Sequence, residues 1–163
     1  GITLTQELKG AIQAAYANGT ITDAEMDSVV NGFVNKVVLP TYKDLKEKNT
    51  ALCAAVRDFY NNPSDATFET ACDAWLVART PWEQSEAFLF GPVDILGLDP
   101  NMDSWPLDQV AIVNILESGN FDDLNWEDGD TEEEITASQE VRGFHTLEFL
   151  LFKDGNPRTV AAQ

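Results

Sequence analysis

Histidine, cysteine and positive charge are all scarce in this sequence of 163 residues. The single histidine, His145, excludes a site built on several imidazoles of one chain, including the His-Glu-x-x-His helix of zinc peptidases. Two cysteines, Cys53 and Cys72, are too few for a disulfide-stapled miniprotein or a multi-cysteine zinc site. Lys plus Arg number 10 against 28 Asp plus Glu, a net charge of −18 that would repel nucleic acid or an anionic bilayer. No apolar run approaches the ~18 residues of a membrane span, and Leu147–Phe152 is interrupted by Glu148. What is present suffices for a real core: 44% of residues are hydrophobic, in a length that suits one domain. No signal peptide is visible, and a start at Gly1 without Met reads as a mature or trimmed chain.

The pattern is helical. Thr22-Asp-Ala-Glu25 is a capping box, and Tyr42, Leu45, Asn49, Leu52, Val56 and Phe59 trace one helical face. Pro40 should kink or split this first long helix, from about Thr22 to Tyr60. After a turn at Asn61-Asn62-Pro63-Ser64, a second helix carries a stripe from Phe68 through Trp75, Arg79 and Trp82 to Glu86, and stops near Gly91-Pro92. Asp94 to Pro106 reads as a long loop. A third helix runs from about Pro106 to Glu117, and an acidic loop from Asn120 to Asp130. Thr131-Glu-Glu-Glu134 caps a last helix expected to continue to about Lys153, where Gly155-Asn-Pro157 stops it. With Leu4–Ala17 as an extra helix, these segments predict an all-α, up-and-down four-helix bundle over residues 22–163, preceded by an N-terminal extension, 1–21, and no strand pair. Cys53 and Cys72 fall at equal heights on neighbouring helices, which leaves a disulfide and a pair of small buried thiols both open. The last helix holds more large apolar residues than one face can bury (Phe144, Leu147, Phe149, Leu150, Leu151, Phe152), so an exposed apolar surface is expected there.

One string stands out chemically. In Gly143-Phe-His145-Thr-Leu-Glu148, His145 and Glu148 are three apart on a helix and can offer an imidazole nitrogen and a carboxylate to one ion. Gly143 is costly inside a helix unless something approaches its backbone. On the second helix, Glu83 and Glu86 repeat the spacing of three, with Arg79 and Glu86 near the buried stripe. Charges there must be paired or metal-bound, and an Arg79–Glu83 or Arg79–Glu86 ion pair is the simpler alternative to a metal. Asp99-x-Asn101-x-Asp103 opens like an EF-hand loop but lacks its glycine and its closing glutamate.

Gly143-Phe-His-Thr-Leu-Glu-Phe-Leu-Leu-Phe152 resembles the Gly-x-His-x-x-Glu signature of imelysin-like proteins. Val38-Leu-Pro-Thr-Tyr42 and Trp75-x-x-x-Arg79, running into Trp82-Glu-Gln-Ser-Glu-Ala-Phe-Leu-Phe-Gly-Pro92, agree in the same order, so the resemblance covers roughly Ile21 to Thr159. It implies a bacterial exported protein, periplasmic or an outer-membrane lipoprotein whose lipid anchor is not in this chain, and frequently iron-regulated. A related branch serves ferrous-iron uptake, and the founding member was described as an insulin-cleaving membrane protease. The resemblance also implies a metal-ligand set of Glu83, Glu86, Asp103, His145 and Glu148, with Asp99 competing for the place of Asp103, and Gly143, Arg79, Trp75 and Trp82 as supporting residues. The family fold resembles two four-helix bundles with the signature near their interface. This chain then corresponds to the first, the other coming from the rest of a longer protein or a second chain.

Three functions are compatible with these residues. The first is a non-catalytic, exported metal-binding protein of iron acquisition, since one imidazole with several carboxylates suits iron, manganese or calcium better than copper. The second is a metallopeptidase with Glu148 or Glu86 as base. The third is a surface module binding polysaccharide or protein through Trp75 and Trp82.

Overall fold

The computed structural model describes residues 2–160, with side chains from residue 6 onward; residues 1 and 161–163 of the two expected segments lie outside this range. The chain forms two compact units, 1–41 and 42–163.

The first unit contains α1 (Ile2–Ala17) and α2 (Asp23–Phe33). Thr22 caps α2 in the expected box: its amide donates to Glu25 Oε2 at 2.8 Å and its Oγ1 accepts from the Glu25 amide at 3.3 Å. A π-helical turn, Val34–Val38, separates α2 from α3 (Leu39–Asn61). The break anticipated at Pro40 is therefore a widened turn just before the proline, in keeping with a ring that cannot sit in an unmodified helical ladder.

In the second unit α3 continues and is followed by α4 (Asp65–Ser85), which opens with a Ser64–Thr67 capping box and ends in a 3-10 turn, Glu86–Phe88. The expected loop after Asp94 instead contains two short helices, α5 (Pro92–Ile95) and α6 (Leu98–Asp103). Then come α7 (Gln109–Ser118), a 3-10 turn at Asp122–Leu124, α8 (Glu132–Gln139) and α9 (Phe144–Leu151). The expected last helix is thus broken in two. The first piece ends at Gln139, and after a short turn Gly143, at φ +96° and outside the helical region, starts the next. A two-residue hairpin, β1 (Phe152–Lys153) with β2 (Asn156–Pro157), follows where no strand was expected. Asp154 and Gly155 at its tip both have positive φ, the backbone of a type I′ turn. Apart from this hairpin the described residues form an all-α fold.

The main core joins α3, α4 and α9: Leu45 and Leu52 meet the stripe from Phe68 to Trp82, and Phe144 and Leu151 close it. A smaller cluster joins Ile112 and Ile115 of α7 to Val141. Phe149 and Leu150 pack against this second cluster, Leu147 and Phe152 against the first. None of the six apolar residues expected to be exposed on the last helix is so: Phe144 and Leu151 are buried and Leu147, Phe149, Leu150 and Phe152 half-buried, because two clusters share them. Cys53 and Cys72 are both free thiols, Cys72 buried in the main core and Cys53 at the surface. No helix among the described residues is long and apolar enough to cross a membrane.

Candidate functional site

Gly143 decides the local geometry. A Cβ at this position would lie 2.3 Å from the carbonyl oxygen of Met102, so only glycine lets the start of α9 come against the end of α6. That approach brings Asp103, whose side chain is only 4% exposed, to the first turn of α9. Asp103 Oδ1 accepts the backbone amide of His145 at 3.2 Å. Gly143 has no side chain with which to cap its own helix, and Asp103 supplies that acceptor from α6, with its charge at the favourable end of the dipole.

The other carboxylate oxygen is also committed. Oδ2 accepts from Trp82 Nε1 at 2.7 Å and pairs with Arg79 Nη1. Arg79 turns its Nε to Glu83 Oε1 at 2.5 Å and its guanidinium toward the Phe144 ring, 5.5 Å from the centroid. Phe144, between the signature glycine and histidine, lies 5.9 Å from Trp82 in a stacked arrangement. Trp75 meets it edge-on and donates Nε1 to its carbonyl at 3.0 Å. Arg79, Trp82, Asp103 and His145 thus form one network, fixed by aromatic packing on one side and ion pairs on the other.

His145 Nδ1 is buried and lies 2.5 Å from Asp103 Oδ1, close enough for an ion pair but too bent for an aligned hydrogen bond. The ring is tilted against Trp105, centroids 4.9 Å apart. Trp105, His145 and Glu148 share the wall of a cavity of about 400 Å³ with Gln109 and Lys153.

The five residues implied as metal ligands are not assembled. Glu83 is exposed and engaged with Arg79. Glu86 is exposed in the 3-10 turn, outside the buried stripe where the sequence placed it, and joins no ion pair or hydrogen bond of the network. Asp103 faces three protein donors, and Glu148 is exposed beside His145 on the cavity wall. Among the described residues no three His, Cys, Asp or Glu side chains stand close enough to hold a metal ion. As arranged in this chain, the five-residue set does not fit a metal. Asp99, the competitor for Asp103, sits one helical turn earlier on α6, its carboxyl pushed above the usual range by burial and by the charge of Asp103. Helical geometry across Asp99–Asp103 also disposes of the EF-hand likeness, which needs a loop. Trp75 and Trp82 are 6% and 1% exposed, so they serve the core and cannot stack on a surface ligand.

Sequence reasoning missed Trp105, Met102 and the braces of α6. Asn101 Oδ1 accepts from Gln139 Nε2 at 2.9 Å and Arg142 Nη2 at 3.2 Å, while Arg142 lies over the Trp126 ring at 3.9 Å. Nothing in local spacing announces these contacts, and those of Asn101 link residues about forty positions apart.

The imelysin family model matches residues 38–162. The chain is 35% identical over 155 residues to iron-regulated protein A of Synechococcus elongatus, covering 91% of this chain and 35% of that protein. The crystal structure of an imelysin peptidase from Bacteroides ovatus superposes with a TM-score of 0.87 at 59% identity, over 94% of this chain and 45% of that one. An iron-regulated protein A precursor from Parabacteroides distasonis gives a TM-score of 0.78 at 48% identity, over 85% of this chain and 37% of that one. The chain therefore spans less than half the length of these relatives. With the family model covering most of the sequence, and the Gly143–Glu148 signature within the match, the chain belongs to the imelysin family.

Proposed function

We propose that this chain is part of an exported, iron-associated protein that binds a metal ion without catalysing a reaction, with His145 and Glu148 as its contribution to the coordination sphere. One observation carries the reading: His145 and Glu148 stand a helical turn apart on the wall of one cavity, and the other implied donors are engaged elsewhere or set apart. Two protein donors make a weak site, so the remaining ligands come from outside residues 1–163, from the rest of a longer protein or from a second chain. The iron association rests on relatives named iron-regulated protein A. Export, to the periplasm or as an outer-membrane lipoprotein, is supported by the word precursor in the name of one of them. Calorimetry with Fe²⁺ and Zn²⁺ tests the proposal: this chain should bind weakly, a full-length relative more tightly, and His145→Ala should abolish the signal in both. Equal tight binding by both proteins, or binding indifferent to His145, overturns it.

A peptidase reading is favoured by the Bacteroides relative, described as an imelysin peptidase. It predicts cleavage of unfolded protein that stops on chelation and in Glu148→Gln. Metal-binding protein without such cleavage supports the non-catalytic reading.

A further inference from the structure

We infer that Asp103 is a positioning residue and not a metal ligand: its carboxylate binds the start of α9 and holds the His145 ring with a proton on Nδ1, leaving Nε2 as the only imidazole atom able to take a ligand. The inference deepens the metal-binding proposal, but its core claim, the placement of the proton, stands on geometry alone. Oδ1 faces both the His145 amide, at 3.2 Å, and Nδ1, at 2.5 Å, while Oδ2 is taken by Trp82 and Arg79. The contact is bent, but at 2.5 Å a bare Nδ1 would set its lone pair beside those of the carboxylate, so the nitrogen next to Oδ1 is the one that carries hydrogen. Nδ1 is also buried, whereas the side chain as a whole retains 22% of its surface and lines the cavity with Glu148 and Trp105. A metal-bound histidine is commonly held this way, its second nitrogen donating to a carboxylate that never touches the ion. A metal at Asp103 would have to displace Arg79 and Trp82 and unseat the first turn of α9.

The lone histidine makes the test direct, because in the chain labelled with ¹⁵N-histidine one pair of imidazole nitrogen signals belongs to His145 without assignment. Long-range ¹⁵N–¹H spectra of the neutral ring should show hydrogen on Nδ1 and a bare Nε2. Asp103→Asn, which keeps the shape and one acceptor oxygen, should move the ring toward a mixture of the two tautomers. Adding Zn²⁺ should shift Nε2 while the Nδ1 proton remains, and Asp103→Asn should weaken zinc about 10- to 100-fold, the effect of losing an outer partner. A bare Nδ1 in the wild-type chain, or a Zn²⁺ complex in which Nδ1 loses its proton, overturns the inference. Hydrogen on Nδ1 with no response to Zn²⁺ supports the placement by Asp103 and counts against the metal-binding proposal. The wild-type spectrum decides the core claim even where the variant fails to fold.

Discussion

Gly143 and Asp103 show how one backbone contact can organise a signature. Gly143 combines a positive φ with a neighbouring carbonyl where a Cβ would fall, so alanine there meets both conformational strain and a clash with Met102 that no rotamer change relieves. Strain and overpacking each cost about 1–3 kcal/mol, and Gly143→Ala should therefore destabilise the chain by roughly 2–5 kcal/mol in urea denaturation. A loss under about 1 kcal/mol would mean that α6 can move away freely. Removing the carboxylate acts differently. Asp103→Ala strands the mostly buried Arg79 and leaves the Trp82 indole and the His145 amide without their acceptor. Breaking a buried pair costs about 3–5 kcal/mol, reduced here because Arg79 keeps Glu83. About 2–4 kcal/mol is expected, and a near-neutral Asp103→Ala in the same denaturation experiment would contradict the network.

At the scale of elements, caps were legible and tertiary breaks were not. Thr22–Glu25 and Thr131–Glu134 are local devices, readable because every participating atom lies within four residues. The Glu134 carboxyl is held below its ordinary range chiefly by the Thr131 amide, then by the Thr131 hydroxyl. A depressed folded value gives stabilisation that is present above the unfolded pKa and lost as pH falls through the folded one. Wild type should therefore exceed Glu134→Gln in stability at neutral pH, with the gap closing below the carboxylate range; a pH-independent gap in denaturation curves would refute the assignment. Asp99 has the opposite sign. Burial first, then Asp103, raises its pKa, so its contribution is fully present below the unfolded value and declines as pH rises through the folded one. Asp99→Asn should stabilise the chain at neutral pH and make no difference in acid, and stabilisation that persisted in acid would count against this cause. The break between α8 and α9 could not be seen from within the segment, since what requires it is the end of α6, some forty residues earlier. The hairpin was legible in principle: Asp154-Gly155 is a strong turn signal, but the apolar run before it read as helix to the end.

For the molecule as a whole, composition and motif order told more than any spacing argument. Helical content and family were readable from periodicity and three ordered strings. The site was not, because pairs three apart on two helices converge only if their faces meet. In the fold α4 turns Trp75 and Trp82 inward and leaves Glu83 at the surface, as the 3-10 turn after it leaves Glu86. The net charge of −18 carries its own consequence. Self-repulsion in the folded chain is screened by salt over about 8 Å at physiological strength. The melting temperature should thus rise between about 0.01 and 0.15 M NaCl, measured by circular dichroism, and a fall would show that attractive pairs dominate. The place a metal takes in this chain is the deciding observation. Anomalous diffraction from crystals of the chain soaked in Mn²⁺ or Fe²⁺ reports this without reference to function. The predicted result is a peak beside His145 Nε2 and Glu148, with Asp103 still bound to Trp82, Arg79 and the His145 amide. A peak centred on Asp103 with Glu83 and Glu86 drawn in around it would contradict the account.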